Sequence, residues 1–204
     1  MILKQSLLKS RCGIFVYQLD FSLSSNWNAR FCGYTLWLQG DRPRQQPVVD
    51  EEGNVLLWNG DVFHDSECQS PACDSDVLMK RLADADTVER VEDVLSRVSG
   101  PWSMIYFRKS LNLLVIGRDP LGRHSLLWNV DDSHQWTGPL IVASAVPEGT
   151  YSEVPADRMF AINFSRSPTI ESLSSRRGYR IDRRIPAAEE GAAVLLIAIH
   201  QCCL

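Results

Sequence analysis

Short apolar runs, separated by residues that favour turns, make up most of the chain up to residue 164. The runs are rich in β-branched and aromatic side chains, and Gly, Pro, Asn, Asp and Ser stand between them. This rhythm is typical of β-strands. It predicts about eight strands, enough for two packed sheets. The predicted strands are residues 12–19, 33–40, 54–60, 102–108, 112–119, 124–130, 140–144 and 158–164.

One segment, residues 74–98, has the apolar spacing of a helix. Its apolar residues recur at intervals of three and four, which places them on one face. Asp86 and Glu89 have the spacing of a capping box, and Gly100 followed by Pro101 indicates a stop. We therefore predict two short helices with a break near residues 83–86. The apolar positions are Val77, Leu78, Leu82, Val88, Val91, Val94, Leu95 and Val98.

The apolar rhythm stops after residue 164. The following residues are rich in Ser, Arg, Glu and Pro, which predicts a mobile tail from about residue 165. The last apolar stretch, from Val194 onward, has two open interpretations: a docked strand or the product of an unusual gene structure.

Composition and charge narrow the class of protein. A chain of 204 residues is long enough for one sizeable core, so we expect one domain with tails. The net charge of −4 gives no overall attraction to nucleic acid or to an anionic membrane, and neither is an expected partner. The longest apolar run near the end, residues 192–199, is too short for a membrane span.

The six cysteines, at positions 12, 32, 68, 73, 202 and 203, have no repeating spacing and form no C-x-x-C pair. This pattern predicts neither a zinc site nor a disulfide framework. Lys4 and Lys9 interrupt the first apolar stretch, so it lacks the core of a secretory signal. We therefore expect a reduced, cytoplasmic protein. No histidine stands at metal-ligand spacing from acidic residues, and no metal site is expected.

Asn59 and Gly60 interrupt an apolar run and have two interpretations. Asn-Gly between apolar runs is a strong signal for the turn of a β-hairpin. The same pair at a strand end is also suited to meeting a ligand.

Four segments, in order along the chain, resemble one known pattern. They are WNGDVF (58–63), CDSDVLMKRL (73–82), GPWSMIYF (100–107) and GRDPLGRHSLLW (117–128). In the class II glutamine amidotransferase domain of asparagine synthetases, the corresponding pieces read N-G-E-I-Y-N, S-D-T-E, D-G-x-F-A-F and R-D-x-x-G-x-x-P-L-Y. The chain resembles this family over residues 33–164.

The resemblance implies a fold and a division of the chain. Family members are α+β proteins, αββα sandwiches of the N-terminal-nucleophile hydrolase type with two antiparallel sheets and covering helices. We expect residues 33–164 to form this domain, with residues 74–98 covering one side. Residues 1–32 are then an N-terminal segment altered relative to the family, and residues 165–204 a tail. An unrelated two-sheet β-rich domain is the alternative.

The family mechanism depends on an N-terminal cysteine. Its thiolate attacks the side-chain amide of glutamine, and its own α-amino group is the general base. Cys12 stands in a C-G-I signature like that of the family, but it follows Arg11 and its nitrogen is in a peptide bond. Three interpretations stay open: a nucleophile exposed by cleavage after Arg11, an ancestral signature inside the chain, or a chance match.

The resemblance also implies residues for glutamine. Asn59 and Gly60 correspond to an oxyanion hole, and Asp74 to the aspartate that receives the α-ammonium group. The arginine that binds the α-carboxylate in the family corresponds to a position near Thr35, where this sequence has no cation. Loss of that charge-assisted contact costs about 1.5–3 kcal/mol, which lowers the expected affinity for glutamine.

The segment after residue 117 carries further expectations. We expect Arg118 and Asp119 to form a structural turn with a local ion pair, and Gly122 to adopt a positive φ. The resemblance gives His124 no role in catalysis.

The implied function is the glutaminase half-reaction of glutamine-dependent asparagine biosynthesis, with L-glutamine as the ligand. The second half needs ATP and Mg²⁺ in a synthetase domain, whose phosphate-binding S-G-G-x-D-S loop is missing from this sequence. We therefore expect no cofactor in this chain, and at most the glutaminase half-reaction. The alternative is a catalytically silent structural or protein-interaction module on the same sandwich.

Overall fold

The computed structural model describes residues 4–9, 15–22, 27–35, 45–63, 73–131, 138–146, 149–165, 170–173 and 193–200. These residues form two β-sheets, two α-helices and a 3₁₀ turn at Lys109–Leu111. The strands are β1 (Lys4–Lys9), β2 (Phe15–Ser22), β3 (Trp27–Thr35), β4 (Val48–Val49), β5 (Val55–Gly60), β6 (Trp102–Arg108), β7 (Leu113–Arg118), β8 (Leu127–Trp128), β9 (Ile141–Ala143), β10 (Ser152–Glu153), β11 (Met159–Asn163), β12 (Ile170–Leu173) and β13 (Ala193–His200). The helices are α1 (Asp74–Ala83) and α2 (Val88–Ser96).

The strands are divided between two sheets that pack face to face. The first sheet has the order β1-β2-β3-β13-β9-β8-β10, and the second has the order β12-β11-β7-β6-β5-β4. The predicted α+β sandwich is confirmed, with two refinements. The first sheet is mixed, because β13 pairs in parallel with both β3 and β9. In the described part of the chain, the helices cover only the second sheet.

Two apolar cores hold these layers together. The core between the sheets includes the contact of Phe31 with Phe107, whose rings lie 6.2 Å apart, and that of Trp128 with Phe160 at 4.6 Å. The core under the helices includes the stacked rings of Trp58 and Trp102. Each large apolar side chain that is fully buried stabilises the fold by about 1.5–3 kcal/mol. The second sheet has an apolar core on both faces, and this explains why β5, β6 and β7 are apolar almost throughout.

The two predicted helices are present, and the break between them falls where the apolar spacing placed it. The predicted cap of α2 was wrong by one residue. Thr87 is the N-cap, and its hydroxyl accepts a hydrogen bond from the N–H of Arg90. Asp86 instead pairs with Arg90 on the surface. A threonine hydroxyl at this point satisfies a helix N–H that has no partner within the helix.

Strands extend on both sides of the segment 33–164. β1, β2 and most of β3 precede it, and β12 and β13 follow it. The prediction of a mobile tail after residue 164 therefore fails for β12, and for the last apolar stretch the structure agrees with the interpretation as a docked strand. Ile170 of β12 is buried against the core between the sheets, and β13 lies between β3 and β9. Composition hid β12 because polar residues surround it in the sequence. The domain boundaries themselves stay a prediction.

Candidate functional site

Three polar side chains lie side by side where the core between the sheets ends. Asn59 of β5 is the register partner of Ser103 of β6, and Ser103 is the partner of Arg118 of β7. Directly opposed residues of antiparallel strands place their side chains on the same face. In each strand, the residue two positions away from the polar residue belongs to the core between the sheets. These residues are Leu57, Ile105 and Ile116. Since side chains alternate in strands, the polar row faces the space between the sheets.

His124 contacts the first member of this row. Its Nδ1 lies 3.3 Å from Nδ2 of Asn59, although the two residues are 65 positions apart in the chain. Asn59 is buried, and among the described residues this is the one hydrogen bond of its side chain. The sequence interpretation gave His124 no role, so the structure adds it to the candidate site.

Ser103 is the second residue that the sequence interpretation missed. Its side chain is fully buried, and within the described residues its hydroxyl has no hydrogen-bond partner. An unsatisfied buried hydroxyl costs about 1–3 kcal/mol. The available signal was a serine in the place of the alanine of the family's D-G-x-F-A-F piece, inside an otherwise apolar strand.

The turn after β7 carries His124 and is held by Arg118. The guanidinium donates to the carbonyl oxygens of His124 at 2.8 Å, Gly122 at 2.6 Å and Val154 at 3.1 Å, and also pairs with Glu153. Gly122 has φ of 61°, as predicted, which most other residues adopt only with strain. The turn itself was predicted correctly, and Arg118 fixes its shape.

The predicted ion pair between Arg118 and Asp119 was wrong. Asp119 pairs with Arg123, and it also accepts from the backbone N–H groups of Trp102, Leu121 and Arg123. The difference arises because Arg118 is the last residue of β7, whereas Asp119 begins the following turn and pairs with Arg123 of the same turn. Burial favours a raised pKa for the Asp119 carboxyl, but these hydrogen bonds outweigh burial and lower the pKa below its ordinary value.

Burial keeps the imidazole of His124 neutral at pH 7. Burial lowers the pKa of His124 below its ordinary value, and the guanidinium groups of Arg123 and Arg118 act in the same direction. The carboxylates of Asp119 and Asp61 oppose this change without cancelling it. A neutral imidazole has one acceptor nitrogen, and its Nδ1 is therefore able to accept a hydrogen bond from Asn59.

Asn59 and Gly60 do not form a hairpin turn, and that prediction was wrong. Both are the last residues of β5 and pair with β6, and the next strand along the chain follows only after both helices. Gly60 is needed for close packing: a Cβ there would lie 2.4 Å from the carbonyl oxygen of Pro101 and 2.6 Å from Cβ of Trp102. Of the two sequence interpretations, the structure agrees with the strand end, and the contact with a ligand stays a prediction.

Asp74 opens α1 and is buried. Its Oδ2 accepts a hydrogen bond of 2.7 Å from the backbone N–H of Val62, so the carboxylate ties the segment after β5 to the helix. This places Asp74 near the end of β5 that carries Asn59 and Gly60. Its role toward an α-ammonium group stays a prediction.

The remaining predicted site residue, Cys12, lies outside the described residues, and its role also stays a prediction. Thr35 is the last residue of β3. The described residues contain no cluster of three or more His, Cys, Asp or Glu that would hold a metal ion. Within the same ranges, no helix combines the length and the apolar content that a membrane crossing requires.

A separate cleft lies on the helix side of the second sheet. It has a volume of about 220 Å³, and residues from α2, β6 and the start of β11 line it, among them Leu95, Trp102 and Met159. Its described lining includes Arg118, the third member of the polar row, but not Asn59, Ser103 or His124. The cleft therefore adjoins the polar row at Arg118 and does not contain the contact between Asn59 and His124.

Comparison with known proteins establishes the class. The family described as the glutamine amidotransferase domain matches residues 36–147, which is more than half of the chain. The chain therefore belongs to the glutamine amidotransferase domain family.

Its relatives make the relationship more particular. The chain is 34% identical over 151 residues to asparagine synthetase domain-containing protein 1 of Bos taurus, an alignment that covers 72% of this chain and 23% of that protein. The protein of the same name from Homo sapiens is 35% identical over 144 residues, with 68% of this chain and 22% of that protein covered. The chain thus spans about a quarter of the length of the curated relatives it matches.

Solved structures also show similarity. Glutamine phosphoribosylpyrophosphate amidotransferase from B. subtilis has a TM-score of 0.42 and 16% identity, and the alignment covers 63% of this chain and 31% of that chain. An allosteric regulatory enzyme of purine biosynthesis has a TM-score of 0.41 and 15% identity, with 63% and 30% covered.

Proposed function

We propose that this domain binds L-glutamine with the side-chain amide at Asn59 and Gly60, and that it does not hydrolyse glutamine while Cys12 follows Arg11. The observation that carries the proposal is the place of Asn59, a buried carboxamide at the polar end of the core between the sheets. A carboxamide nitrogen has two hydrogens. His124 takes one of them, and the other is available to the oxygen of a ligand amide.

The proposed lack of hydrolysis follows from the chemistry of Cys12. Attack on the amide requires removal of the thiol proton, and the family uses the cysteine's own α-amino group, whose ordinary pKa is about 8. In this chain that nitrogen is bonded to the carbonyl of Arg11. A peptide nitrogen is not basic, so the step has no such base.

Glutamate release from glutamine tests the lack of hydrolysis. We would compare the full chain, the full chain with Cys12→Ala, and a chain that begins at Cys12. The expected result is equal background release from the first two proteins. Release that the Cys12→Ala change abolishes in the full chain would overturn this part of the proposal. The chain that begins at Cys12 separates the two reasons for silence: release from it identifies the blocked amine as the cause, and no release identifies the pocket.

A second candidate is a silent structural or interaction module that does not bind glutamine. The contact of Asp74 favours it, because Oδ2 already accepts from Val62 and the residue serves the joint between β5 and α1. Calorimetry with glutamine distinguishes the candidates: saturable binding supports the first, and its absence at millimolar glutamine supports the second.

The wider role in asparagine biosynthesis is part of the proposal. It rests on relatives whose names contain asparagine synthetase domain. It concerns only a form of the chain that begins at Cys12, because we propose no release of ammonia while Cys12 follows Arg11. Location in the cytoplasm belongs to the same proposal, and the free thiols of Cys32 and Cys73 agree with a reducing compartment. A fluorescent fusion of the chain tests the location, since exclusion of the fusion from the cytoplasm would contradict it.

A further inference from the structure

We propose that His124 is a positioning residue that fixes which end of the Asn59 carboxamide faces the ligand. The inference rests on the proposed function, in which Asn59 meets the amide of glutamine. It assigns His124 a task that neither the sequence nor the family relationship indicates.

The contact with His124 limits Asn59 to one orientation when the imidazole carries its proton on Nε2. Nδ2 of Asn59 lies 3.3 Å from Nδ1 of His124, and the carboxamide has no other side-chain partner among the described residues. If the carboxamide turned by half a rotation, its oxygen would face a second acceptor at the same distance. An acceptor facing an acceptor is unfavourable, so a neutral His124 with its proton on Nε2 selects the orientation in which Nδ2 donates.

His124 is itself held in place through its backbone. Its carbonyl oxygen accepts a hydrogen bond of 2.8 Å from Nε of Arg118. Arg118 is a residue of β7, and its guanidinium is buried. The same guanidinium donates to Gly122, two residues earlier in the turn. The N–H of Gly122 in turn donates to the carbonyl of Asp119. The backbone of the turn is therefore fixed at His124 and at the residues before it, and we expect this backbone to stay in place if Asn59 rotates.

The burial of His124 supports the same assignment. The groups that act on the imidazole are the carboxylates of Asp119 and Asp61 and the guanidinium groups of Arg118 and Arg123. Burial dominates them and lowers the pKa of His124, so the imidazole is neutral at pH 7, and its tautomer with the proton on Nε2 has Nδ1 as the acceptor. Protonation places a hydrogen on Nδ1, which then requires the oxygen of Asn59. The carboxamide is expected to turn at a pH below about 6.5, the ordinary pKa of histidine.

The test compares three full-length proteins by NMR and by calorimetry with glutamine: the natural chain, His124→Asn and His124→Phe. Asparagine at 124 keeps an acceptor near the place of Nδ1 without titrating, and phenylalanine keeps a ring without an acceptor. In the natural chain, the side-chain amide signals of Asn59 are expected to shift with a midpoint below pH 6.5. The midpoint is expected to be absent from both variants. Glutamine affinity at pH 7 should fall about tenfold in His124→Phe and stay within about twofold in His124→Asn.

The outcomes separate this inference from the proposed function. Equal glutamine affinity in the natural chain and in His124→Phe would overturn the positioning role and leave glutamine binding intact. No glutamine binding in any protein, together with Asn59 signals that follow the titration of His124, would overturn the proposed function and support the positioning role. Thermal unfolding of each variant is the folding control. An unfolding temperature within a few degrees of that of the natural chain verifies that the fold is retained.

Discussion

Two polar clusters lie at the same end of the second sheet, and they differ in how completely their hydrogen bonds are made. Asp119 is fully buried, and each of its oxygens accepts two hydrogen bonds, from Trp102, Leu121 and Arg123. On the opposite face of the sheet, Asn59 makes one side-chain hydrogen bond and the hydroxyl of Ser103 makes none among the described residues.

The difference in hydrogen bonding indicates which of the two clusters is suited to bind a ligand. A saturated buried cluster has no free donors or acceptors, and its role is to fix the turn that carries His124. A buried cluster with unmade hydrogen bonds lowers stability unless water or a ligand completes it. We therefore propose a structural role for the cluster around Asp119 and a binding role for Asn59, Ser103 and His124. The predictions that follow test this division.

The largest effect is expected from Asp119→Ala. The change leaves the N–H groups of Trp102 and Leu121 without partners and removes the carboxylate that pairs with Arg123. Breaking a buried pair costs about 3–5 kcal/mol, and we expect the lower end because Arg123 is partly exposed. Urea unfolding measures the loss. The matched control is Asp93→Ala, which removes an exposed carboxylate from a similar pair with Arg97 and should cost less than about 1 kcal/mol. Similar losses in both variants would contradict the structural role of Asp119.

The pH dependence of stability is a second test of the contribution of the Asp119 carboxyl. Because the pKa of Asp119 is lowered in the folded state, its contribution is complete above the ordinary aspartate pKa of about 3.9. It is lost as the pH falls through the lower folded value. The difference in unfolding free energy between the natural chain and Asp119→Asn should therefore shrink below pH about 3.9. A difference that grows on acidification would show the opposite sign and would break the assignment.

An intermediate effect is expected from Gly60→Ala. The added methyl group would lie 2.4 Å from the carbonyl oxygen of Pro101 and 2.7 Å from Cα of Trp102, and these are backbone atoms that cannot move aside alone. Overpacking of this kind costs about 1–3 kcal/mol. Thermal and urea unfolding measure the effect. An unchanged stability would mean that the end of β5 is looser than the structure indicates.

The smallest effect on stability is expected from Ser103→Ala. Since the hydroxyl has no described partner, its removal should leave the stability unchanged or raise it by up to about 1 kcal/mol. Ser152→Ala is the matched control. The hydroxyl of Ser152 donates a hydrogen bond of 2.9 Å to the carbonyl oxygen of Val130, and the loss of this bond should cost about 1 kcal/mol of stability. A loss of more than about 1 kcal/mol in Ser103→Ala would show that Ser103 belongs to the structural cluster.

Sequence patterns predicted where the helices lie better than they predicted which distant residues are in contact. The helix spacing located α1 and α2, because an apolar stripe needs only local information. The contact between Asn59 and His124 joins residues 65 positions apart, and it depends on the pairing of three strands and on Arg118. No local pattern contains such a contact.

The errors have similar physical causes. Asn59 and Gly60 have the composition of a hairpin turn, yet their pairing with Ser103 and Trp102 keeps both residues in the strand. β13 was only one of two interpretations of the last apolar stretch, because its neighbours β3 and β9 are far away in the chain. In both cases tertiary pairing decided the structure over local composition.

The most direct test of the account is a glutamine titration followed at the side-chain amide signals of Asn59. We would record this titration by NMR for the natural chain, and we would measure glutamine binding by calorimetry for Asn59→Ala and Asn129→Ala. Asn129→Ala is the control, because in the described structure the side chain of Asn129 bonds only to Pro139 and Ile141. The account predicts saturable shifts of the Asn59 signals, lost binding in Asn59→Ala and unchanged binding in Asn129→Ala. Saturable glutamine binding that persists in Asn59→Ala, or the absence of binding to the natural chain, would contradict it.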